Sequence, residues 1–362
     1  MENRTLESLC NVVSGGTPSR SKPEFWNDGN IPWIKIGNIK SKYVSEADEY
    51  ITQAGLDGSS AKMLSKGTIL YTIFATLGEA GILTIDACTN QAIAGITIKD
   101  KRVIDTNYLY YYLKSKKEYV NSLGRGVAQN NINMSMLRKF EVPVPAIDDQ
   151  KQIVDVLEKA NSIIECRKTE LQRLDDLIKA RFVEMFGDPI LNNKRLPTML
   201  GEGIFKLSNG KFVPESKRFE TGIPVYGGNG ISWYTDEVLV EGDTLVVGRV
   251  GFQSGNVHYA EGPLWVSDNA MYISNYNKQD YDLLFLCHLM EHIDFTRHQD
   301  AGDLKKITQK PLMAMEYIHP SLSQQQEYTA FVKQVNKYKS VVQKSLDETQ
   351  TLFDALMQQY FG

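Results

Sequence analysis

The chain has 362 residues, of which 42% are hydrophobic and 23% charged, and its net charge is −4. That is enough ordinary globular sequence for two cores, and too acidic a chain to coat nucleic acid without specificity, although a local basic face could still bind it. Cys10, Cys88, Cys166 and Cys287 are scattered with no CxxC pair, and no signal-peptide core or membrane-length apolar run occurs. These features predict reduced thiols in a soluble, cytoplasmic protein with no membrane partner.

Residues 1–145 read as a first globular domain. Thr5–Leu9 suggests a short opening helix or strand. Ser14–Gly15–Gly16–Thr17–Pro18–Ser19–Arg20 and Phe25–Trp26–Asn27–Asp28–Gly29–Asn30 are turn-rich loops around an alternating strand, Ile31–Ile36. Further strands are expected at Gly67–Phe74, Gly81–Ile85 and Ala92–Ile98, then a tyrosine-rich helix from Asn107 to Asn121 and a last strand at Phe140–Val144. The domain is predicted to be α+β with a mostly β body.

Residues 146–188 form a long amphipathic helix. Ile153, Leu157, Ala160, Ile164, Arg167, Leu171, Leu174 and Ile178 recur in alternating steps of four and three, which lays one stripe along one face. Asp148 is a candidate cap, and Gly187 followed by Pro189 ends the pattern. Roughly 37 residues at about 1.5 Å each give a rod of roughly 55 Å. Such a rod suits a spacer better than a core helix.

The pattern returns 175 positions later. Pro145, Ile147 and Gln150 become Pro320, Leu322 and Gln325, and Phe186–Gly187 becomes Phe361–Gly362. The second stripe is Tyr328, Val332, Val335, Lys339, Val342, Leu346, Thr349 and Phe353. Two unrelated helices would not share their offset with upstream positions, yet Leu70, Ile132 and Leu137 match Leu245, Ile307 and Leu312 at the same spacing. The chain is therefore a tandem repeat: a second domain at 189–320 and a second helix at 321–362. If a pseudo-two-fold relates the halves, the two helices form an antiparallel coiled-coil pair.

Chemistry is sparse. No GxxxxGK[ST] phosphate loop, GxGxxG, GxSxG or (Asn/Asp)-Pro-Pro-Tyr tetrapeptide is present. His288–Leu289–Met290–Glu291–His292 fits HxxEH, a zinc-protease pattern, but the matching helix of the first half, Tyr112–Lys116, carries no ligand, so no metal site is expected. What remains are polar loops suited to reading DNA. In the first half these carry Arg20, Lys22, Lys35, Asn38 and Lys40, then Arg125, Gln129, Asn130, Asn131 and Asn133. In the second half they carry Lys211, Lys217, Arg218 and Asn229, then Arg249, Gln253 and Ser254, then Arg297, His298, Gln299, Lys305 and Lys306. Arg and Lys suit guanine edges and phosphates, whereas Asn and Gln suit adenine edges.

Ser14–Gly15–Gly16–Thr17–Pro18 followed by Phe25–Trp26–x–x–Gly29–x–Ile31–Pro32–Trp33 resembles the start of a target recognition domain in type I restriction–modification specificity subunits. Gln129–Asn133, Val142–Pro143–Val144–Pro145, Gln150 and the long helix look like its close and spacer, and the tandem order covers the whole chain. The second half departs where Gly210–Lys211–Phe212 replaces Gly16–Thr17–Pro18, and His319–Pro320 replaces Val144–Pro145. The resemblance implies two target recognition domains reading a split site in double-stranded DNA, with helices that set the gap and dock two methyltransferase subunits. It implies no catalytic residue and no cofactor on this chain. S-adenosylmethionine would sit in the methyltransferase, ATP and Mg in motor-nuclease subunits. The competing reading is a coiled-coil scaffold whose globular parts bind protein or peptide.

Overall fold

The computed structural model describes residues 2–124, 131–300 and 305–362. It divides into two compact units, Met1–Lys168 with Ser345–Gly362, and Thr169–Lys344.

In the first unit Glu2–Thr5 pairs antiparallel with Glu141–Val144, which ties the opening of the chain to the entry of the central helix. A five-stranded sheet runs in the order Cys10–Ser14, Ile93–Ile98, Ile69–Thr72, Ala80–Leu83, Tyr43–Val44. A three-stranded sheet runs Glu49–Ile51, Ile31–Ile34, Cys88–Thr89. Ile69–Thr72 is buried at every position, so it reads as a continuous apolar run and not an alternating one. The tyrosine-rich segment covers the larger sheet. Asp105 caps it by accepting from the Asn107 and Tyr108 N–H groups, and Tyr108 to Leu113 are all buried. The single helix expected at Asn107–Asn121 is in fact two, Thr106–Ser115 and Lys117–Gly124, with a turn at Lys116. With these helices the unit is a mixture of strand and helix, and not the mostly β body expected from the sequence.

The second unit repeats the order. Thr198–Leu200 pairs with Glu316–Ile318. A four-stranded sheet runs Phe205–Asn209, Ala270–Tyr276, Thr244–Gly248, Val257–Ala260, and a three-stranded sheet runs Gly230–Thr235, Ile223–Gly227, Trp265–Val266. Leu283–Ile293 is the covering helix, capped by Asp282.

Both long helices are 40 residues, Ile147–Phe186 and Leu322–Phe361, or about 60 Å each at about 1.5 Å per residue. The first begins two residues earlier than a cap at Asp148 would allow, so Asp148 and Asp149 lie inside its first turn, favourably placed against the helix dipole. It ends at Gly187, whose φ of +73° an L side chain would resist. Leu157, Ile164, Ile178, Tyr328, Val332, Val335, Val342 and Phe353 are buried, while Ile153, Leu171, Leu174 and Leu346 are half-buried. In the first unit Leu157, Ala160 and Ile164 share a core with Phe353 and Phe361; in the second, Ile178, Phe182 and Phe186 share one with Tyr328, Val332 and Val335.

A buried glutamine anchors each helix to its domain. Gln150 accepts from the Asp105 N–H at 2.8 Å and donates to the Val103 and Pro145 carbonyls, both at 2.9 Å. Gln325 accepts from the Asp282 N–H at 2.9 Å and donates to the Asp280 and Pro320 carbonyls at 2.8 and 2.9 Å. Both carboxamides are fully buried with their main donors and acceptors used, and each reaches the capping residue of the helix that covers its sheet.

Candidate nucleic-acid interface

Each unit gathers several loops at one sheet edge. In the first, the buried Trp33 donates from its indole N–H to the Gly16 carbonyl at 2.9 Å. Gly16 must be glycine, because a Cβ there would fall within 2.4 Å of Ser60 and Ala61. Gly15 and Gly16 donate to the Ile93 and Thr89 carbonyls at 3.1 and 2.8 Å, and the Thr17 hydroxyl donates to the Gln91 side chain. Ile73 in turn donates to Ala92 at 2.9 Å and accepts from Ile132 at 3.1 Å, which bridges Phe74 to Asn131. Loops distant in sequence thus meet beside residues 15–17.

Arg20 is held there by two contacts. Its guanidinium lies 3.6 Å from the Trp26 ring centre and 2.5 Å from the Glu49 carboxylate, whose other oxygen takes Lys35. Trp26 packs edge-on against Trp33 with centroids 5.1 Å apart. The hydrogen bond from Lys35, and secondarily that from Arg20, holds Glu49 below its usual carboxylate range. A guanidinium stacked on an aromatic face keeps its fork in one plane, ready for a flat acceptor edge.

The second unit rebuilds this frame with other side chains. Trp265 donates to the Lys211 carbonyl at 2.9 Å, as Trp33 does to Gly16. Gly210 and Lys211 donate to the Ala270 and Val266 carbonyls at 3.0 and 2.8 Å. Arg249 donates from its backbone to Asn269 at 2.9 Å and accepts from Ile307 at 2.9 Å, beside a bridge between Val250 and Lys306. Gly228 packs on Gly248, the Cα of which would lie 3.5 Å from a Cβ added at Gly228; this brings Asn229 to the same edge. Arg218 stacks on Trp233 at 4.4 Å and donates twice to the Val213 carbonyl, at 3.1 and 3.2 Å.

Several residues expected to read DNA also make structural contacts. Asn38 accepts from the Lys35 N–H at 2.9 Å, and Asn133 caps Met134–Arg138 by accepting from the Met136 N–H at 2.9 Å. Lys217 pairs with Glu237, and Lys22 lies 4.9 Å from the Phe25 ring. Lys40 lines a separate cleft with Lys42, Tyr110, Lys114 and Glu158. Gln253 accepts from Asn256 at 2.5 Å, and Gln299 donates to the Ser254 carbonyl at 2.7 Å. Ser254 is a correction: it is fully buried under its own loop and has no surface to offer a ligand. Asn131, Lys211, Asn229, Arg297, Lys305 and Lys306 are exposed, Arg249 is half-buried, and Arg125, Gln129 and Asn130 lie outside the described residues. The sequence reading missed the aromatic frame and the exposed phenylalanines Phe74, Phe212 and Phe252, for which no polar pattern gives a signal.

The HxxEH pattern is also absorbed by packing. His288 shares a hydrogen bond with the Tyr328 hydroxyl at 2.6 Å, and His292 donates to the His288 carbonyl at 2.8 Å while stacking on Phe182 at 4.0 Å. Burial, then His292 and Lys339, pushes His288 down to about 4.

The model of the type I restriction modification DNA specificity domain matches residues 1–176 and again residues 200–348. The chain belongs to this family. It is 25% identical over 341 residues to the type I restriction enzyme EcoprrI specificity subunit of Escherichia coli, covering 88% of this chain and 84% of that one. To the MjaIX specificity subunit of Methanocaldococcus jannaschii it is 31% identical over 190 residues, 51% of this chain and 43% of that one. In fold, this specificity subunit is similar to the type I S subunit of M. genitalium, with TM-score 0.63, 18% identity and coverage of 100% and 96%. A chain from a study of complex assembly and conformational transition in the type I R-M system gives TM-score 0.62 at 14% identity, covering 99% and 97%.

Proposed function

We propose that each unit reads one half of a split, asymmetric DNA site, and that the chain gives a type I restriction–modification complex its sequence specificity without contributing a catalytic residue. The observation that carries this reading is the edge built twice on the same backbone bonds with different side chains. Gly16, Ile73, Ala92 and Asn131 in the first unit stand where Lys211, Arg249, Asn269 and Lys306 stand in the second. A shared frame with exchanged donors and acceptors reads different base edges, so the two half-sites differ. Stacked Arg20, exposed Asn131 and the exposed Lys211, Lys305 and Lys306 supply guanine, adenine and phosphate partners.

The helices act as a spacer in an antiparallel pair. In its support, the start of the central helix shares a core with the end of the C-terminal helix, and its end shares one with that helix's start. A rod of about 60 Å exceeds one ~34 Å turn of DNA, which suits a gap between half-sites. On this reading the segments 1–145 and 189–320 are the recognition domains, and 146–188 and 321–362 the spacers. Two methyltransferase subunits carry S-adenosylmethionine, motor-nuclease subunits carry ATP and Mg, and the complex works in the cytoplasm. Among the described residues no helix is long and apolar enough to cross a membrane. A protein-binding scaffold would not need cationic and amide side chains converging on one edge in both units.

The test is co-expression with the neighbouring methyltransferase, followed by sequencing of methylated bases. A gapped, two-part adenine-methylated motif is expected; methylation at a single contiguous site would overturn the reading.

A further inference from the structure

Phe252 is 82% exposed, more than any other large apolar side chain among the described residues. It stands on the loop between Thr244–Gly248 and Val257–Ala260, and that loop is held from several sides. Gly251 donates to the Lys305 carbonyl at 2.9 Å, Gly255 to Gly248 at 2.8 Å, and Gly248 to Asn256 at 2.8 Å. Gln299 donates to the Ser254 carbonyl at 2.7 Å from another element, and Ser254 itself is buried. Gly251 sits at φ +91°, where an added Cβ would meet nothing, so glycine is required there by the backbone turn and not by crowding. An anchored loop that holds an apolar ring in water has no packing reason to do so.

The ring has a cationic rim. The Lys305 ammonium lies 5.9 Å from its centroid, Lys306 is exposed and bridged to the adjacent Val250, and Arg249 is half-buried on the same loop. The equivalent loop of the first unit also carries an exposed ring, two positions earlier: Phe74, 44% exposed, stands where Val250 stands, is bridged to Asn131 and precedes Ala75 at φ +60°. A non-glycine residue held in that region marks a loop shape maintained by its surroundings. Positive charge around a lone presented ring suits a polyanion that also offers flat apolar faces, which is a stacked nucleic acid duplex.

We propose that Phe252 is a wedge that stacks on a base step of the half-site read by the second unit, while Lys305 and Lys306 hold the flanking phosphates. Part of that half-site is then read as the ease with which the step unstacks, a form of specificity that polar contacts alone do not supply. This rests on the DNA-reading function proposed above.

The test uses the chain co-purified with its methyltransferase and duplexes carrying 2-aminopurine at each position of the methylated motif. Wild-type complex should raise fluorescence at one step of one half-site. Phe252→Ala should abolish that rise and weaken specific binding about 10-fold or more, with the salt dependence of binding unchanged. Phe252→Trp should restore both, and Lys305→Gln should lower the salt slope by about 1 while keeping the rise. Unfolding midpoints should match across these variants, since the ring is exposed. A Phe252→Ala complex that methylates and unstacks like wild type overturns the wedge alone, as does one that loses the methyltransferase while its DNA signal survives. A wild-type complex with no sequence preference overturns the wedge together with the function beneath it.

Discussion

Replacing Gln325 by Ala should loosen the second unit at its helix anchor. The native carboxamide satisfies the Asp282 N–H and the Asp280 and Pro320 carbonyls within a fully buried site. Removing it leaves three buried polar groups, each worth about 1–3 kcal/mol if nothing replaces the partner. The space left is polar, and a water entering it would recover part of that, so about 3 kcal/mol is expected for Ala. Leu, which fills the space and excludes water, should cost more than Ala. Asp282 also caps Leu283–Ile293, so the loss should spread into that helix. The assay is hydrogen exchange on the full chain: amides at 282–286 should exchange about 100-fold faster in Gln325→Ala, the kinetic equivalent of about 3 kcal/mol. Exposed Gln326→Ala is the control and should change little. Gln150→Ala should do the same at Asp105 in the first unit, because its bonds are the same in kind. Exchange at these amides unchanged in both variants would refute the anchoring role.

Ser254→Ala should leave the methylated motif unaltered and be neutral or stabilising by about 1 kcal/mol, since its buried hydroxyl finds no partner among the described residues; a changed motif would show that the loop opens on DNA. Arg20→Ala should alter only the half-site read by the first unit, while freeing Glu49 of one of its two cations; methylation-motif sequencing checks the first point and carboxyl NMR titration the second. His288 has an ordinary value of 6.5 and is held down to about 4, so the folded state resists protonation that the unfolded chain accepts. Its contribution to stability is therefore present above pH 6.5 and lost as pH falls toward 4. His288→Gln should flatten this part of the unfolding midpoint's acid dependence, and a variant curve parallel to wild type would contradict it.

The repeat and the long helices were legible because they are periodic. Heptad stripes and a constant offset of 175 survive even where side chains differ, as Leu157 and Val332 illustrate. Gln150 and Gln325 were visible as markers of the helix entry, but their role needed the carbonyls they reach. The candidate interface was less legible, for a chemical reason: an Asn that caps a helix and an Asn that would read adenine are the same residue. Asn38 and Asn133 turned out to cap, whereas Asn131, two positions from Asn133, is exposed at a bridge. Ser254 looked like a loop hydroxyl and is buried because two glycines with left-handed φ fold the loop over it. Phe252 escaped notice for the opposite reason, since a phenylalanine is expected inside. The helix break at Lys116 fell within an unbroken helical pattern and carries neither Gly nor Pro.

One unit reading one half-site is the claim most directly open to measurement. Asn131→Ala in the first unit and Lys306→Ala in the second can each be expressed with the methyltransferase and the methylated motif of each sequenced. The account predicts that Asn131→Ala relaxes or changes one half of the motif and leaves the other intact, and that Lys306→Ala weakens methylation without touching the half that Asn131 affects. Both halves changing together in either variant would contradict it.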